Sequence, residues 1–329
     1  MKVIGMFFII WGHLSPEHLK HFIYAFSVPI FFIVSGYLFR CCDWRQFFEK
    51  NIRTLLVPYF LLGGSVICFF FFVKYYFGNY CETYFPLSFL SLFVGSQNGI
   101  GEGSIGCQAL WFVYTLFIIK CIANLILDRW YLHIYISIIF LYIAQWLNEL
   151  GCDFYSSYTN VLVAYPYFAI GYFIKKKYGN ELQQKANNNI ILLSRNPRLY
   201  IFVLMGLFCV SLGSYLNGMI EMYNSKFGSD LFLFLVDGIL GSAIIALLSI
   251  RLGNYDFCGF VKILSRGSIL ILAWQIIFLL FINLVFSKSL GQWINDDIIT
   301  FIFTILIYAS FIPIIKIITK YCPILIGGR

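Results

Sequence analysis

The sequence predicts an all-α, polytopic transmembrane bundle of about ten helices with both termini in the cytoplasm. Three observations lead to this fold class: the apolar composition, the length of the hydrophobic runs and the uneven placement of basic residues. Of the 329 residues, 60% are hydrophobic and only 12% are charged, whereas soluble domains carry about 25% charged residues. A soluble fold cannot bury this much apolar surface, because one core stops growing at roughly 250–300 residues.

The hydrophobic runs are long enough to cross a bilayer, since a helix needs ~20 apolar residues to span ~30 Å of hydrocarbon. In chain order, we predict helices over about 3–14, 22–39, 55–77, 108–127, 131–148, 158–174, 199–217, 231–250, 268–286 and 298–319. The longest outer loop is expected over 78–106, and a polar, Asn-rich segment over 175–198. No internal repeat divides the sequence, so we expect a single domain over residues 1–329.

The first apolar run is the shortest of the predicted spans. It extends only from Val3 to Leu14, which falls short of the ~20 residues that a crossing needs. Near the end of this run, the residues Trp11-Gly12-His13 do not match the small-residue site of a cleaved signal peptide. Two hypotheses remain: the helix stops part-way across the membrane, or the natural N-terminus lies further upstream.

Basic residues are concentrated on one side of the predicted topology. Of the 23 Lys and Arg residues, the outer loops hold only Lys20, Lys74, Lys226 and Lys288. Cytoplasmic loops of membrane proteins carry such an excess of Lys and Arg, so both termini are predicted to be cytoplasmic, which requires an even number of crossings. The net charge of +8 therefore reflects membrane topology, and we expect the lipid bilayer as a partner rather than nucleic acid.

The first helix carries the clearest candidate for chemistry. Lys2, Gly5 and His13 form the pattern K-x-x-G-x(7)-H, and a rise of ~1.5 Å per residue places His13 about 16 Å along the helix from Lys2. An ionisable side chain at such a depth is a functional candidate by default. The alternative hypothesis is a histidine at a helix end, hydrogen-bonded to a loop carbonyl.

Further motifs follow in a fixed order along the chain. They are Phe22-Ile-Tyr-Ala-Phe-Ser-Val-Pro29 with Ser35-Gly36-Tyr37, Lys50-Asn-Ile-Arg53 before Pro58-Tyr59, Leu110-Trp111-Phe112, Tyr165-Pro166-Tyr167-Phe168 and Leu264-Ser-Arg-Gly-Ser268. Together with the first helix, this ordered set resembles the membrane acyltransferase 3 family, including its fucose 4-O-acetylase-like members. The resemblance spans most of the chain, although each motif alone is weakly specific.

The resemblance implies transfer of an acetyl group from acetyl-CoA, as acyl donor, to a hydroxyl of a cell-surface polysaccharide or lipid-linked sugar. His13 is then the catalytic residue, either as general base or as nucleophile. Lys50 and Arg53 are candidates to bind CoA phosphates, although they also fit ordinary positive-inside anchoring, and Trp111 is a candidate wall of the acceptor pocket. No metal is expected. The resemblance also implies a multi-pass protein of the cell membrane, in bacteria the inner membrane.

Two positions depart from the family pattern. The family's second helix reads F-H-M-P where this chain has Phe26-Ser27-Val28-Pro29, and many relatives carry a histidine where this chain has Trp274-Gln275. If either missing histidine shapes the acceptor site, the substrate preference differs or the activity is lost.

Other polar residues give weaker signals. His18 and His21 have a spacing used by zinc ligands, but no third ligand lies at a recognisable offset, so loop histidines in solvent are the better interpretation. Asp237 lies inside a hydrophobic run, so we expect it to be paired, with Lys120 as a candidate, or protonated. Cys81 and Cys107 fall in the predicted outer loop, where a disulfide would form only in an oxidising compartment.

Three alternative functions remain open. A transporter or flippase of lipid-linked sugar would need broken helices and charges near the membrane midplane, for which Asp237 and Lys120 are the candidates. A polysaccharide polymerase is less consistent, since the 78–106 loop contains no Arg or Lys. An inactive structural relative would have a sealed interior around His13. The sequence carries no signal of oligomeric state.

Overall fold

The computed structural model describes residues 1–77, 84–151, 156–188, 197–252, 258–286 and 296–328, and these are almost entirely helical. The helices are α1 (Lys2–Leu14), α2 (Glu17–Phe26), α3 (Pro29–Leu38), α4 (Trp44–Asn51), α5 (Val57–Phe77), α6 (Tyr84–Val94), α7 (Trp111–Ile126), α8 (Trp130–Glu149), α9 (Ser156–Asn188), α10 (Pro197–Asn217), α11 (Leu231–Leu252), α12 (Cys258–Arg266), α13 (Ser268–Phe286) and α14 (Asp297–Tyr321). A short antiparallel hairpin, β1 (Ile220–Glu221) and β2 (Lys226–Phe227), lies between α10 and α11.

The predicted all-α membrane bundle is confirmed. Within the described ranges, seven helical segments are long and apolar enough to cross a membrane, and α12 with α13, bent by 78°, adds an eighth if counted as one span. Two apolar helices, Lys2–Leu14 and Phe85–Val94, are shorter than a crossing needs. The number of ten crossings and the cytoplasmic termini therefore stay predictions.

The helix α9 lies in the interior of the bundle. It packs against α3, α7 and α8, and most of its residues between Val161 and Tyr172 are buried. A helix surrounded by other helices does not need a lipid-facing apolar surface, so it tolerates the Tyr, Asn and Pro residues that lower its hydropathy. The helix continues to Asn188, and the polar segment predicted from residue 175 is therefore helical in its first part.

The predicted helix over 22–39 is divided in two. α2 ends at Phe26 and α3 begins at Pro29, with Ser27 and Val28 between them. Proline has no N–H to donate and is favoured at the first position of a helix, which explains the new start. The two parts together still form one candidate span, Glu17–Leu38.

Several short elements lie where the sequence predicted loops. α6 occupies part of the predicted outer loop over 78–106. The amphipathic helices α4 and α12 precede the long apolar helices α5 and α13, and a π-helical turn over Ile52–Leu56 joins α4 to α5. These elements are too short or too polar to appear as hydrophobic runs, which is why the sequence did not predict them.

A close crossing of α3 and α9 holds the centre of the bundle. A methyl group on Gly36 would collide with the carbonyl oxygen of Phe168, and one on Gly171 would collide with the carbonyl oxygen of Ile33. Glycines permit such backbone contact between membrane helices, where van der Waals packing drives association. The position of α3, and of the Ser27-Val28 break before it, depends on this contact.

The hairpin between α10 and α11 is tied to its neighbours by amide side chains. Asn98 donates to Asn224 Oδ1 at 3.1 Å, and Asn160 donates to the carbonyl oxygen of Met222 at 2.6 Å. Asn217 donates to the carbonyl oxygen of Phe227 at 3.1 Å. The hairpin is therefore fixed over one end of the bundle, beside the loop that carries Asn98.

We expect Gly171→Ala to destabilise the protein, because the added methyl group would meet backbone atoms that cannot move aside. Overpacking a helix contact costs about 1–3 kcal/mol, which corresponds to a fall of about 1.5–4.5 °C in thermal midpoint for a chain of this length. The measurement is thermal unfolding in detergent micelles. Gly64→Ala is the matched control, since its methyl group would lie at an ordinary 3.7 Å from Phe89; an unchanged midpoint for Gly171→Ala would contradict the packing argument.

The basic residues predict that the C-terminus lies in the cytoplasm and the hairpin outside. A C-terminal green fluorescent protein fusion should fluoresce, and a C-terminal alkaline phosphatase fusion should be inactive. Phosphatase fused within the loop over residues 219–230 serves as the opposite control and should be active. Active phosphatase at the C-terminus would require an odd number of crossings or a reversed orientation.

Candidate active site

A cavity of about 360 Å³ lies beneath the hairpin. Its walls come from six parts of the chain: one face of α1, the break between α2 and α3, the loop that carries Gln97 and Asn98, the start of α7, the hairpin, and the middle of α13. These parts are far apart in sequence, so the cavity exists only in the folded bundle.

His13 reaches the cavity because of the helical period of α1. Met6, Ile9 and His13 all line the cavity, and positions three and four apart share one face of a helix. The side chain of His13 is exposed to the cavity, whereas the adjacent Gly12 and Leu14 are buried in the bundle.

His13 is held by a tyrosine from the second helix. The Nδ1 atom of His13 and the hydroxyl of Tyr24 are 3.4 Å apart, and the two rings meet edge to face with centroids 6.2 Å apart. A side chain on Gly12 would collide with the Tyr24 ring, so this glycine makes room for the pair. The partner is thus a hydroxyl and not the loop carbonyl of the alternative hypothesis. Which ring nitrogen carries the proton depends on the tautomer.

Trp111 lines the same cavity, as the sequence predicted for a wall of the acceptor pocket. It begins α7, directly after a 3₁₀ turn over Gln108–Leu110. Gln108, Ala109 and Phe112 line the cavity beside it. The structure therefore brings Trp111 and His13 together, although a role in binding stays a prediction.

The two positions that depart from the family pattern also line the cavity. Ser27 lies at the break between α2 and α3, and Gln275 lies on α13, three residues after Leu272 on the same face. Both side chains are buried. The neighbouring Trp274 instead donates from Nε1 to the hydroxyl of Ser65 at 3.0 Å, which orients this part of α13.

The wall on the hairpin side contains residues that the sequence did not single out. Gln97, Asn98 and Glu221 line the cavity at this end. The Glu221 carboxylate accepts a hydrogen bond from Asn224 at 3.0 Å and lies 4.0 Å from the ammonium group of Lys226. The only sequence signal was the cluster of small and amide residues near residue 97, and no local pattern connected it with the hairpin.

Lys50 and Arg53 do not line the cavity. Lys50 is exposed near the end of α4, and Arg53 is exposed within the π-helical turn. Turns of this π-helical type are rare in proteins, and those that occur are often found at functional sites. Lys120 of α7 donates to Asn51 Oδ1 at 3.3 Å and lies within electrostatic range of Lys50 and Lys2. Lys2, Lys50 and Lys120 thus form a basic group apart from the described cavity lining, and the role of Lys50 and Arg53 with CoA stays a prediction.

The suggested pairing of Asp237 with Lys120 is wrong, since Lys120 bonds to Asn51 instead. Asp237 is buried beside Gly213, where a side chain would collide with its carboxylate oxygens, and its Oδ2 atom has no partner among the described residues. The protonated form of Asp237 remains as the other hypothesis. Neither Asp237 nor Lys120 lines the cavity.

The remaining histidine and cysteine candidates lie elsewhere. His18 contacts the carboxylate of Asp297 at 3.2 Å, and no group of three or more metal-binding side chains gathers within the described ranges. Burial raises the pKa of the Cys107 thiol to about 12, so this residue next to the cavity stays protonated and is a poor nucleophile. Cys81 lies outside the described residues, and its disulfide with Cys107 stays a prediction.

Comparison with known proteins supplies the family. A family model described as an acyltransferase domain matches residues 1–320. Searches among curated proteins and among solved structures returned no match. The matched region includes every wall of the cavity and every motif of the resemblance, so the predicted family is confirmed: the chain belongs to the acyltransferase 3 family.

Proposed function

We propose that this membrane acyltransferase transfers an acetyl group from acetyl-CoA to a hydroxyl of a cell-surface polysaccharide or lipid-linked sugar. The observation that carries the proposal is the position of His13, which faces a cavity wide enough for a sugar unit and is oriented by Tyr24. Family membership supports acyl transfer as the reaction class. The cell membrane, in bacteria the inner membrane, is the proposed location.

The proposed reaction needs a general base that is uncharged before it accepts the proton. A neutral imidazole of His13 removes the proton from the acceptor hydroxyl as its oxygen attacks the thioester carbonyl carbon. A carbon–oxygen bond forms, the carbon–sulfur bond breaks, and the departing CoA thiolate takes the proton back from the imidazolium. In a nucleophilic variant, the imidazole attacks the thioester carbonyl carbon and the CoA thiolate leaves with the imidazole proton. The sugar hydroxyl then attacks the acetyl-imidazole, and the carbon–nitrogen bond breaks as the released imidazole takes the hydroxyl proton.

The donor, acetyl-CoA, is proposed to approach from the end of the bundle where Lys2, Lys50 and Arg53 lie. Lys50 and Arg53 are exposed there, and Lys2 begins the helix that carries His13. The distance along α1 from Lys2 to His13 is about 16 Å at ~1.5 Å per residue. In CoA, the long flexible pantetheine arm separates the nucleotide phosphates from the thioester, so phosphates at the basic end and a thioester at His13 are compatible.

One observation favours the inactive-relative hypothesis. The described cavity-lining residues on α1 end at Met6, and neither Lys2, Lys50 nor Arg53 belongs to the lining. The cavity in this conformation therefore does not open toward the basic residues, and the donor arm would need α1 or its neighbours to move. A transporter has less support, because neither Asp237 nor Lys120 reaches the cavity.

Replacing His13 by Ala should abolish acetylation of surface glycans while leaving membrane insertion intact, because the general base or nucleophile is lost. Loss of a catalytic histidine lowers the rate about 100-fold or more. Acetyl content of the glycans is measured by mass spectrometry in cells with and without the variant. His18→Ala, which removes an exposed histidine near Asp297, is the matched control; an unchanged acetyl content in His13→Ala cells would remove the main support for the proposal.

Tyr24→Phe should lower kcat about 3- to 10-fold and change its pH dependence, because the hydroxyl that contacts His13 is lost while the ring remains. A neutral hydrogen bond contributes roughly 0.5–1.5 kcal/mol. The assay follows release of the CoA thiol in purified membranes across pH. Tyr215→Phe, at a position exposed on α10, controls for the substitution, and identical pH profiles for wild type and Tyr24→Phe would mean that the tyrosine does not act on His13.

A further inference from the structure

Two of the buried polar atoms in the cavity wall have no hydrogen-bond partner among the residues that the structure describes. They are the Ser27 hydroxyl oxygen and the Gln275 side-chain carbonyl oxygen, on residues that are only 1% and 2% exposed. An unsatisfied buried polar atom destabilises a protein, and nearly all such atoms in native proteins are paired. Both residues line the cavity that contains His13.

Ser27 differs from several serines of this fold whose hydroxyls bond within their own helix. Ser15, Ser91 and Ser249 each donate their hydroxyl to a carbonyl oxygen four residues earlier, at 2.6–2.8 Å. At Ser27, only the backbone N–H bonds to the corresponding carbonyl of Ile23, at 3.0 Å, and the buried hydroxyl has no partner among the described residues. The protein itself therefore leaves the hydrogen-bonding capacity of the Ser27 hydroxyl unused.

The cavity is suited to an uncharged molecule. Among the described lining residues there is no Lys or Arg, and the carboxylate of Glu221 is the one formal charge beside the titratable His13. Glu221 is already engaged by Asn224 and Lys226. An anionic group brought into this cavity would lose its hydration without gaining a cationic partner, which is costly.

We propose that Ser27 and Gln275 form the hydroxyl-binding subsite for an uncharged sugar acceptor. A sugar hydroxyl can donate to the Gln275 carbonyl oxygen while it accepts from the Ser27 hydroxyl, so that all three groups become paired. The subsite holds a hydroxyl of the acceptor near His13 and selects neutral glycosyl units over uronic, sialic or phosphorylated ones. The inference rests on the proposed function, since it names the acceptor class of the same site.

The first test identifies the acetylated sugar. Surface glycans are isolated from native-host cells lacking the gene and from the same cells complemented with the full chain, and the gene-dependent acetyl group is located by mass spectrometry and NMR. An acetyl group on an uncharged sugar is expected. An acetyl group on a carboxylate- or phosphate-bearing sugar would overturn the subsite and leave the acyltransferase proposal standing, whereas no gene-dependent acetyl group at all would overturn both.

The second test uses Ser27→Ala and Gln275→Met in the complemented cells. Each variant should reduce acetylation of the glycan about tenfold, as expected for loss of one buried hydrogen bond to substrate. In membranes from these cells, the KM for acetyl-CoA should be unchanged. Ser249→Ala, which removes a hydroxyl bonded within its own helix, is the matched control and should leave acetylation at the wild-type level.

Thermal stability separates substrate binding from a structural role. Without ligand, Ser27→Ala and Gln275→Met should unfold at the wild-type temperature or slightly above it, because each removes an unpaired buried polar atom. Wild-type acetylation in both variants would overturn the subsite. A fall in acetylation that matches a fall in thermal midpoint would assign the two residues a structural role instead.

Discussion

The backbone contact between α3 and α9 is the constraint on which the site depends. Gly36 and Gly171 each lie against a carbonyl group of the opposite helix, so the two helices come into direct backbone contact at these positions. α9 is itself enclosed by α7 and α8, which makes it a fixed reference. Because Pro29 begins α3, fixing α3 also fixes the break before it and directs Ser27 toward the cavity.

Buried polar groups in this bundle differ in whether the protein itself supplies their hydrogen bonds. Many are satisfied within the protein, such as Lys120 by Asn51 and the Asn217 amide by the carbonyl oxygen of Phe227. Among the described residues, unpaired buried oxygens occur outside the cavity, as at Asp237 and Ser242, and also in its wall, at Ser27 and Gln275. An unpaired polar group lowers stability, and a binding site is one place where a ligand restores the lost hydrogen bonds. The fold thus gives up some stability where a substrate can bind.

The candidate site was only partly predictable. His13 and Trp111 were identified because each lies in a motif of contiguous residues, and both line the cavity. Lys50 and Arg53 belong to an equally recognisable motif, yet they lie at a separate group of basic residues. Glu221 and Asn98 were missed, since they come from a hairpin and a loop that meet only through long-range contacts such as Asn98 with Asn224.

Composition and motifs were enough to identify the chain as a helical membrane protein and to identify its family. Hydrophobic content and run length act locally, and family motifs are contiguous, so both can be recognised without a structure. Three features required the folded arrangement of the helices: the helix over 22–39 divides at Ser27, Asp237 and Lys120 are not partners, and Ser27 and Gln275 share a cavity with His13. These features depend on packing between segments distant in sequence, where the distances are set by glycine contacts and hydrogen bonds rather than by any local pattern.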